Sequence, residues 1–280
     1  RYPLVTGVQT CALPILKLIQ ENHRILKSLE AEFTILMKRV LITLMFLFMV
    51  LKSQGQLHVL SWNIQMRPIW LFHDHQIQRS KFINEFLQDY DVVVLQEAFE
   101  KKCLPLLKPG FEHVIYPSKK GKPISNGLFI LSKYPIEYSE TIYFDSCSGF
   151  DCIASKGATF FQITKDSIKY QFITTHLQSG DGKIQDKIRL SQIKQIKELM
   201  LKNWSFGVRQ ILIGDLNQKC GVDKFEKILN LRNCNWDGCT WFCGKETQLL
   251  DYVLSNFELT TFSIETVELS DHFPIRVIIE

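Results

Sequence analysis

Two stretches of this 280-residue chain decide what it can fold into: VVVLQ at 92–96 and ILIG at 211–214. A strand with one wet face alternates apolar and polar residues, whereas these two are apolar almost throughout. Such strands must be covered on both faces, so a sheet built from them needs further layers around it. The rest of the chain can supply them. Phe82, Ile83, Phe86 and Leu87 share one face of a helix predicted over 79–90, and 186–202 reads as a second amphipathic helix. LHVLSWNI (57–64), GLFILSKYPI (127–136, stopped by Pro135), LDYVLSN (250–256), FSIETVEL (262–269) and PIRVIIE (274–280) read as further strands. ATFFQITKDSIKYQFITTHL (158–177) reads as a hairpin turning at Lys165, Asp166 and Ser167. With no internal repeat and no linker after residue 56, the expectation is one α/β sandwich domain over 56–280.

The front of the chain is expected to be something else. VTGVQTCALPI resembles the translation of a sequencing adapter, so residues 1–36 are read as adapter and upstream read-through, with Met37 as the start. From there the chain has a Lys-Arg pair, an apolar run from Val40 to Leu51, and small residues at Ser53 and Gly55. That is the pattern of a signal peptide over 37–55, and the run is shorter than the ~20 residues a membrane span requires. The expected product is secreted or periplasmic, begins near Gln56 and acts as a monomer.

Removing the leader changes the charge. Of the 33 basic and 29 acidic residues, seven and three lie in 1–55, which leaves 26 of each. Proteins that live on nucleic acid usually carry a basic excess, because phosphate neutralisation supplies much of their affinity. A nucleic-acid partner is therefore not expected. Seven of the eight cysteines follow residue 55, and an oxidising compartment makes disulfides plausible. Cys147 and Cys152 bracket a tight SGFD loop and are the first candidate pair; Cys220, Cys234, Cys239 and Cys243 are candidates for another bridge, and no CxxC spacing supports zinc.

The polar residues that invite chemistry sit where apolar runs stop. Asn63 follows LSW, Glu97 follows VVVLQ, His176 follows FITT, and Asp215 and Asn217 follow ILIG. Asp251 opens DYVL, and Asp271 and His272 precede FPIRVII. Each alone has a bland reading as a solvated turn or a strand cap. Together they outline a crevice of the kind that strand ends line in α/β sheets.

In order, SWNI, VVVLQEAF, GLFILSKYPI, TTHLQ, ILIGDLN, LDYVL and LSDHFPI resemble the endonuclease/exonuclease/phosphatase superfamily. The resemblance runs from about Leu57 to the end and implies a DNase I-like, four-layer α/β sandwich. THLQ, with Gln178, and GFDCIASKGATFF, with Asp151 and Lys156, are similar to neutral sphingomyelinases within it. That resemblance implies a metal-dependent phosphodiesterase acting on sphingomyelin at a membrane surface. A nuclease of the same fold is the alternative reading, and a binding protein that lost its chemistry is a third.

The residue types fit phosphodiester hydrolysis. Glu97 and Asn63, with Asp271 at the edge, offer hard oxygen ligands for Mg2+, with Mn2+ or Co2+ as substitutes. His272 suits a general base, and by resemblance Asp251 holds its tautomer. His176 and Asn217 would donate to phosphoryl oxygens, and Asp215 would orient the water. Asp151, Lys156 and Asn217 are the expected substrate contacts, although Lys156 reads equally well as a solvated loop lysine. Only a short segment separates the DYVL and SDH motifs, too short for a large membrane-inserting hairpin. Trp70 and Phe72 in RPIWLF could touch lipid, but are expected to be core.

Overall fold

The computed structural model of the chain describes residues 12–52, 55–219, 221–233, 238–243, 246–259 and 261–280. The chain divides into two compact units, Arg1–Gln54 and Gly55–Glu280. The first is built on one helix, α1 (Ala12–Lys52), which runs through both the expected read-through and the apolar run after Val40. Among the described residues no helix is long and apolar enough to cross a membrane.

The second unit follows the order β1 (Leu57–Met66), α2 (Gln76–Leu87), β2 (Val92–Ala98), α3 (Leu104–Leu107), β3 (His113–Ile115), β4 (Phe129–Ser132) and β5 (Ile136–Tyr143). It continues with β6 (Gly157–Lys165), β7 (Ile168–His176), α4 (Lys183–Asn203), β8 (Arg209–Asp215), α5 (Asp223–Leu229) and β9 (Arg232–Asn233). The short hairpin β10 (Trp241–Cys243) and β11 (Glu246–Gln248) precedes β12 (Asp251–Ser255), β13 (Thr261–Ile264) and β14 (Ile275–Ile279).

Two six-stranded sheets result, ordered β13-β14-β1-β2-β4-β3 and β5-β6-β7-β8-β12-β9. Their facing sides share a core in which Val59, Val94 and Ile130 of one sheet join Phe161, Phe172 and Ile213 of the other. The rings of Phe161 and Phe172 stack with centroids 4.9 Å apart. On the outer face of the first sheet, Trp62, Leu95 and Phe129 pack against Ile83 of α2 and Leu107 of α3. On that of the second, Phe160, Ile173 and Leu212 pack against Ile193 and Ile196 of α4 and Phe225 of α5. The continuous apolar runs are explained: each is covered twice, once by the opposing sheet and once by helices. Helix, sheet, sheet and helix are the four layers expected.

Several boundaries differ from the sequence reading. The first amphipathic helix begins three residues early, at Gln76 after a left-handed His75, and stops at Leu87. FSIETVEL is extended only to Ile264, which pairs with Ile275, the first residue of its antiparallel partner β14. Edge strand β5 had no clear signal, since it is exposed on one side and follows Pro135. The 158–177 hairpin forms as expected, with Asp166 and Ser167 both at positive φ in its two-residue turn. Trp70 is a correction: expected in the core, it is 75% exposed. The tight turn after Arg67 leaves no layer above it, and Phe72 is half-buried beneath the Arg67 guanidinium at 4.0 Å.

Candidate active site

The central pair of each sheet is parallel, β1 with β2 and β7 with β8. Parallel neighbours release their C-terminal residues at the same edge, which is how Asn63, Glu97, His176 and Asp215 come together. In register, His176 stands opposite Asp215. The antiparallel neighbours enter at that edge: Asp251 opens β12 opposite Asp215, and Asp271 and His272 lead into β14. Gly214 makes the β7–β8 approach possible. A Cβ there would lie 2.2 Å from the Thr175 carbonyl oxygen, at a φ of +150° that other residues rarely adopt. Three non-glycine residues at the strand exits, Gln65, Glu97 and Asn217, hold positive φ. Such strain persists only where the surroundings enforce it, and it commonly marks functional sites.

His272 and Asp251 form the tightest contact, with Nδ1 2.7 Å from Oδ2. Both side chains are buried, and the other ring nitrogen, Nε2, faces Asp215 Oδ2 at 3.8 Å. The Trp62 indole donates to the His272 carbonyl at 2.8 Å and fixes its backbone. Burial opposes charge on His272, but Asp251, Asp215 and Asp271 outweigh it and raise its pKa to about 10.

His176 goes the other way. Burial, and next the Lys156 ammonium 3.2 Å from its Nε2, lower its pKa to about 3. It is therefore neutral, with Asp215 Oδ2 3.5 Å from the same nitrogen. Two histidines on one carboxylate are thus split into a cationic and a neutral member, the separation expected of acid–base assignments.

Lys156 is buried, which excludes its reading as a solvated loop lysine. Its ammonium meets Asp151 at 2.8 Å and donates to the Leu177 carbonyl at 2.7 Å. The Cys147–Cys152 disulfide closes the loop that carries Asp151, as the spacing suggested. Gln178 clasps this loop by accepting from the Ser148 amide at 2.8 Å and donating to its carbonyl at 3.1 Å. The second cysteine set is only partly in view: Cys220, Cys234 and the Cys243 side chain lie outside the described residues, while Cys103 and Cys239 are free thiols.

A third group lines the other wall. The Asn63 amide donates to Glu97 Oε1 at 3.1 Å and Asp215 Oδ2 at 3.0 Å, and its oxygen accepts from the Gln65 amide at 3.2 Å. Gln65 also donates to Asp271 Oδ2 at 2.9 Å. Burial is the main reason that the Glu97 pKa is raised; the Asp271 charge adds to it. The carboxylate oxygens of Glu97 and Asp271, each also bonded by a side-chain amide, suit a small hard cation. Asp215, Asp251 and His272 also lie close enough together to hold an ion, with ligand atoms within 4.8 Å of one another. There the His272 Nδ1 is committed to Asp251, which leaves Nε2, facing Asp215, as the ring nitrogen open to a ligand. Asn217 sits beside the group, its amide N–H on the Leu177 carbonyl at 3.2 Å.

Eight of the ten sequence-predicted residues line two adjoining cavities, while Asn63 and Asp251 are buried behind them, bonded to Glu97, Asp215 and His272. Sequence reasoning missed Gln65 and Arg79, which organise it from behind. Arg79 donates to the carbonyls of Ile64 at 2.6 Å and Leu269 at 2.7 Å, tying the end of β1 to the segment before His272. An arginine on an amphipathic helix carries no sequence mark of that task.

From this centre the surface opens in two directions. One cavity, of about 380 Å3, is lined mostly by polar and charged residues, including Asp181, Asn217, Lys219 and Gln248 beside Glu97 and His176, with Trp241 and Leu250 among them. The other, of about 130 Å3, leaves Lys156 and His176 between Leu71, Phe99, Phe150 and Ile153.

Two stacked sheets with an acid–histidine crevice at one edge define a four-layer α/β sandwich of the DNase I-like class. Within that class the chain belongs to the Endonuclease/Exonuclease/phosphatase family, whose profile matches residues 60–272. It is similar to Sphingomyelinase C 2 of Leptospira interrogans serogroup Icterohaemorrhagiae serovar Lai (strain 56601), 26% identical over 79% of this chain and 45% of that protein. Phospholipase C of Staphylococcus aureus is 29% identical over 66% of this chain and 64% of its own length. The chain thus spans about half to two thirds of these curated relatives. Its fold also matches beta toxin from Staphylococcus aureus, in a double-mutant crystal structure with bound magnesium ions. The TM-score is 0.70 at 23% identity, covering 81% of this chain and 100% of that one.

Proposed function

We propose that the chain is a Mg2+-dependent phosphodiesterase that cleaves sphingomyelin to ceramide and phosphocholine. The observation that carries this reading is the His272–Asp251 pair, at 2.7 Å, with His272 lining a cavity of mostly polar side chains that shares Glu97 and His176 with an apolar groove. A phosphodiester joining a polar headgroup to an apolar body fits such a junction with its phosphorus at the centre. The names of the curated relatives support the same substrate class.

The residues divide the work. His272 Nε2 takes the proton of the attacking water, while Asp251 holds the ring through Nδ1 and stabilises the imidazolium that forms. Asp215 orients that water from its place beneath both histidines. Lys156 and the neutral His176 face the phosphoryl oxygens, where charge grows in the transition state. Glu97 and Asp271 would hold the Mg2+, with Asn63 fixing the Glu97 carboxylate. Bound there, the ion would supply positive charge that offsets the charge developing on the phosphate and would favour the neutral form of His272.

The nuclease alternative is disfavoured by balanced charge after residue 55 and by an apolar groove beside Lys156. The test is phosphocholine release from sphingomyelin vesicles, with phosphatidylcholine vesicles and plasmid DNA in parallel. Release from sphingomyelin that needs Mg2+ and is abolished by His272→Ala is expected. Cleavage of DNA without lipid turnover would keep the mechanism and discard the substrate.

A further inference from the structure

The exposed rim of the apolar groove has no role in the chemistry above. Trp70 is 75% exposed, Leu71 45%, Phe150 81% and Ile153 37%. Leu71, Phe150 and Ile153 line the groove running to Lys156 and His176 from two loops, and Trp70 stands next to Leu71 on the first of them. Apolar side chains this large, held out on neighbouring loops, mark a surface that is covered in use.

Both loops are held in place. The Glu100 carboxylate accepts from the Ile69 amide at 2.8 Å and the Lys102 amide at 3.0 Å, pinning the turn that carries Trp70. The disulfide between Cys147 and Cys152 spans a 3-10 turn at Gly149–Ile153, and Phe150 projects from it. These tips are rigid, so little ordering entropy is lost when they insert.

Charge identifies the partner. Lys101 and Lys102, both exposed, follow the glutamate that pins the first loop. Lys119, Lys120 and Lys122 lie on the strap beside the second, where Ile124 pairs with Ala154 and the Lys120 amide donates to Ser155 at 3.0 Å. Five lysines thus flank the apolar rim in a unit with no net charge after residue 55. Exposed aromatics ringed by lysines match a bilayer surface: rings at the acyl boundary, ammonium groups among phosphates. We propose that Trp70, Leu71, Phe150 and Ile153, with these lysines, form the surface by which the protein docks on phospholipid bilayers containing acidic lipid. Its function rests on the phospholipase reading, because docking here would lower the groove directly onto the lipid whose phosphodiester reaches Lys156.

The test uses residues 55–280, the compact unit that carries the whole surface. Binding to phosphatidylcholine vesicles, with and without phosphatidylserine, is measured by co-sedimentation in EDTA, so that it is independent of turnover. Trp70→Ala with Phe150→Ala should weaken binding to both vesicles by about tenfold or more. Lys119→Gln, Lys120→Gln and Lys122→Gln together should weaken only the phosphatidylserine-dependent part, by about fivefold per lysine at low salt. Hydrolysis of the soluble diester bis(p-nitrophenyl) phosphate should stay at the parent rate in the lysine variant and in Trp70→Ala alone, which should itself weaken vesicle binding. Binding within about twofold of the parent in the aromatic variant, or no vesicle binding by the parent, would overturn the docking surface. Aromatic-dependent binding without headgroup release from any phospholipid would support the surface and remove the proposed reaction.

Discussion

Asp251→Asn isolates what the carboxylate does for His272. The change keeps size and shape but removes the charge 2.7 Å from Nδ1. With Asp251 in place, the His272 pKa rises from 6.5 to about 10 despite burial. Each tenfold in proton affinity is worth about 1.4 kcal/mol. The folded value lies above the unfolded one, so the contribution is fully present below about pH 6.5 and fades as pH climbs through 10. If the amide returns His272 to its ordinary value, the variant is less stable by about 4 kcal/mol near pH 6.5. The deficit falls to about 3 near pH 8 and below about 1 near pH 10. Urea unfolding of parent and variant across that range measures it. Turnover should fall by about 10³–10⁴, by analogy with the same substitution in a serine protease, because an amide favours the wrong tautomer. A stability deficit that does not change with pH would refute the reasoning, since it would mean that packing and not proton linkage couples the pair.

Lys156→Met should lower turnover by about 10²–10³. It should also raise the His176 pKa above its present value of about 3, because the lysine is its second-largest depressant; an NMR titration reads that directly. Phe172→Ala removes a fully buried ring stacked on Phe161 between the two sheets and should cost about 3–5 kcal/mol in urea unfolding, with little change in metal dependence. Gly214→Ala forces a Cβ against the Thr175 carbonyl, so β7 and β8 must separate; both the unfolding midpoint and turnover should drop. For the leader, the expected outcome is a secreted protein whose N-terminal sequencing begins near Gln56.

Much of the site was legible because each strand that supplies it is an apolar run with one polar residue at its exit. VVVLQE and ILIGD announce both the layer that must be buried and the point where burial ends. Spatial convergence was not legible from those runs alone. It depends on two parallel pairings, β1 with β2 and β7 with β8, that bring residues 63, 97, 176 and 215 to one edge across more than a hundred positions. Order along the chain, through the family resemblance, stood in for that geometry. Edge strand β5 and the exposure of Trp70 were hidden for a different reason. A half-exposed edge has weak periodicity, and composition cannot tell an aromatic that fills a core from one held above it. Trp62 and Trp70 lie eight residues apart in similar apolar company, yet one is fully buried behind His272 and the other stands in solvent. The difference is whether a helix layer lies above the residue, as α2 does over Trp62, where the Phe86 ring meets the indole edge-on. Past β1 that layer ends, the chain turns back, and the groove wall begins.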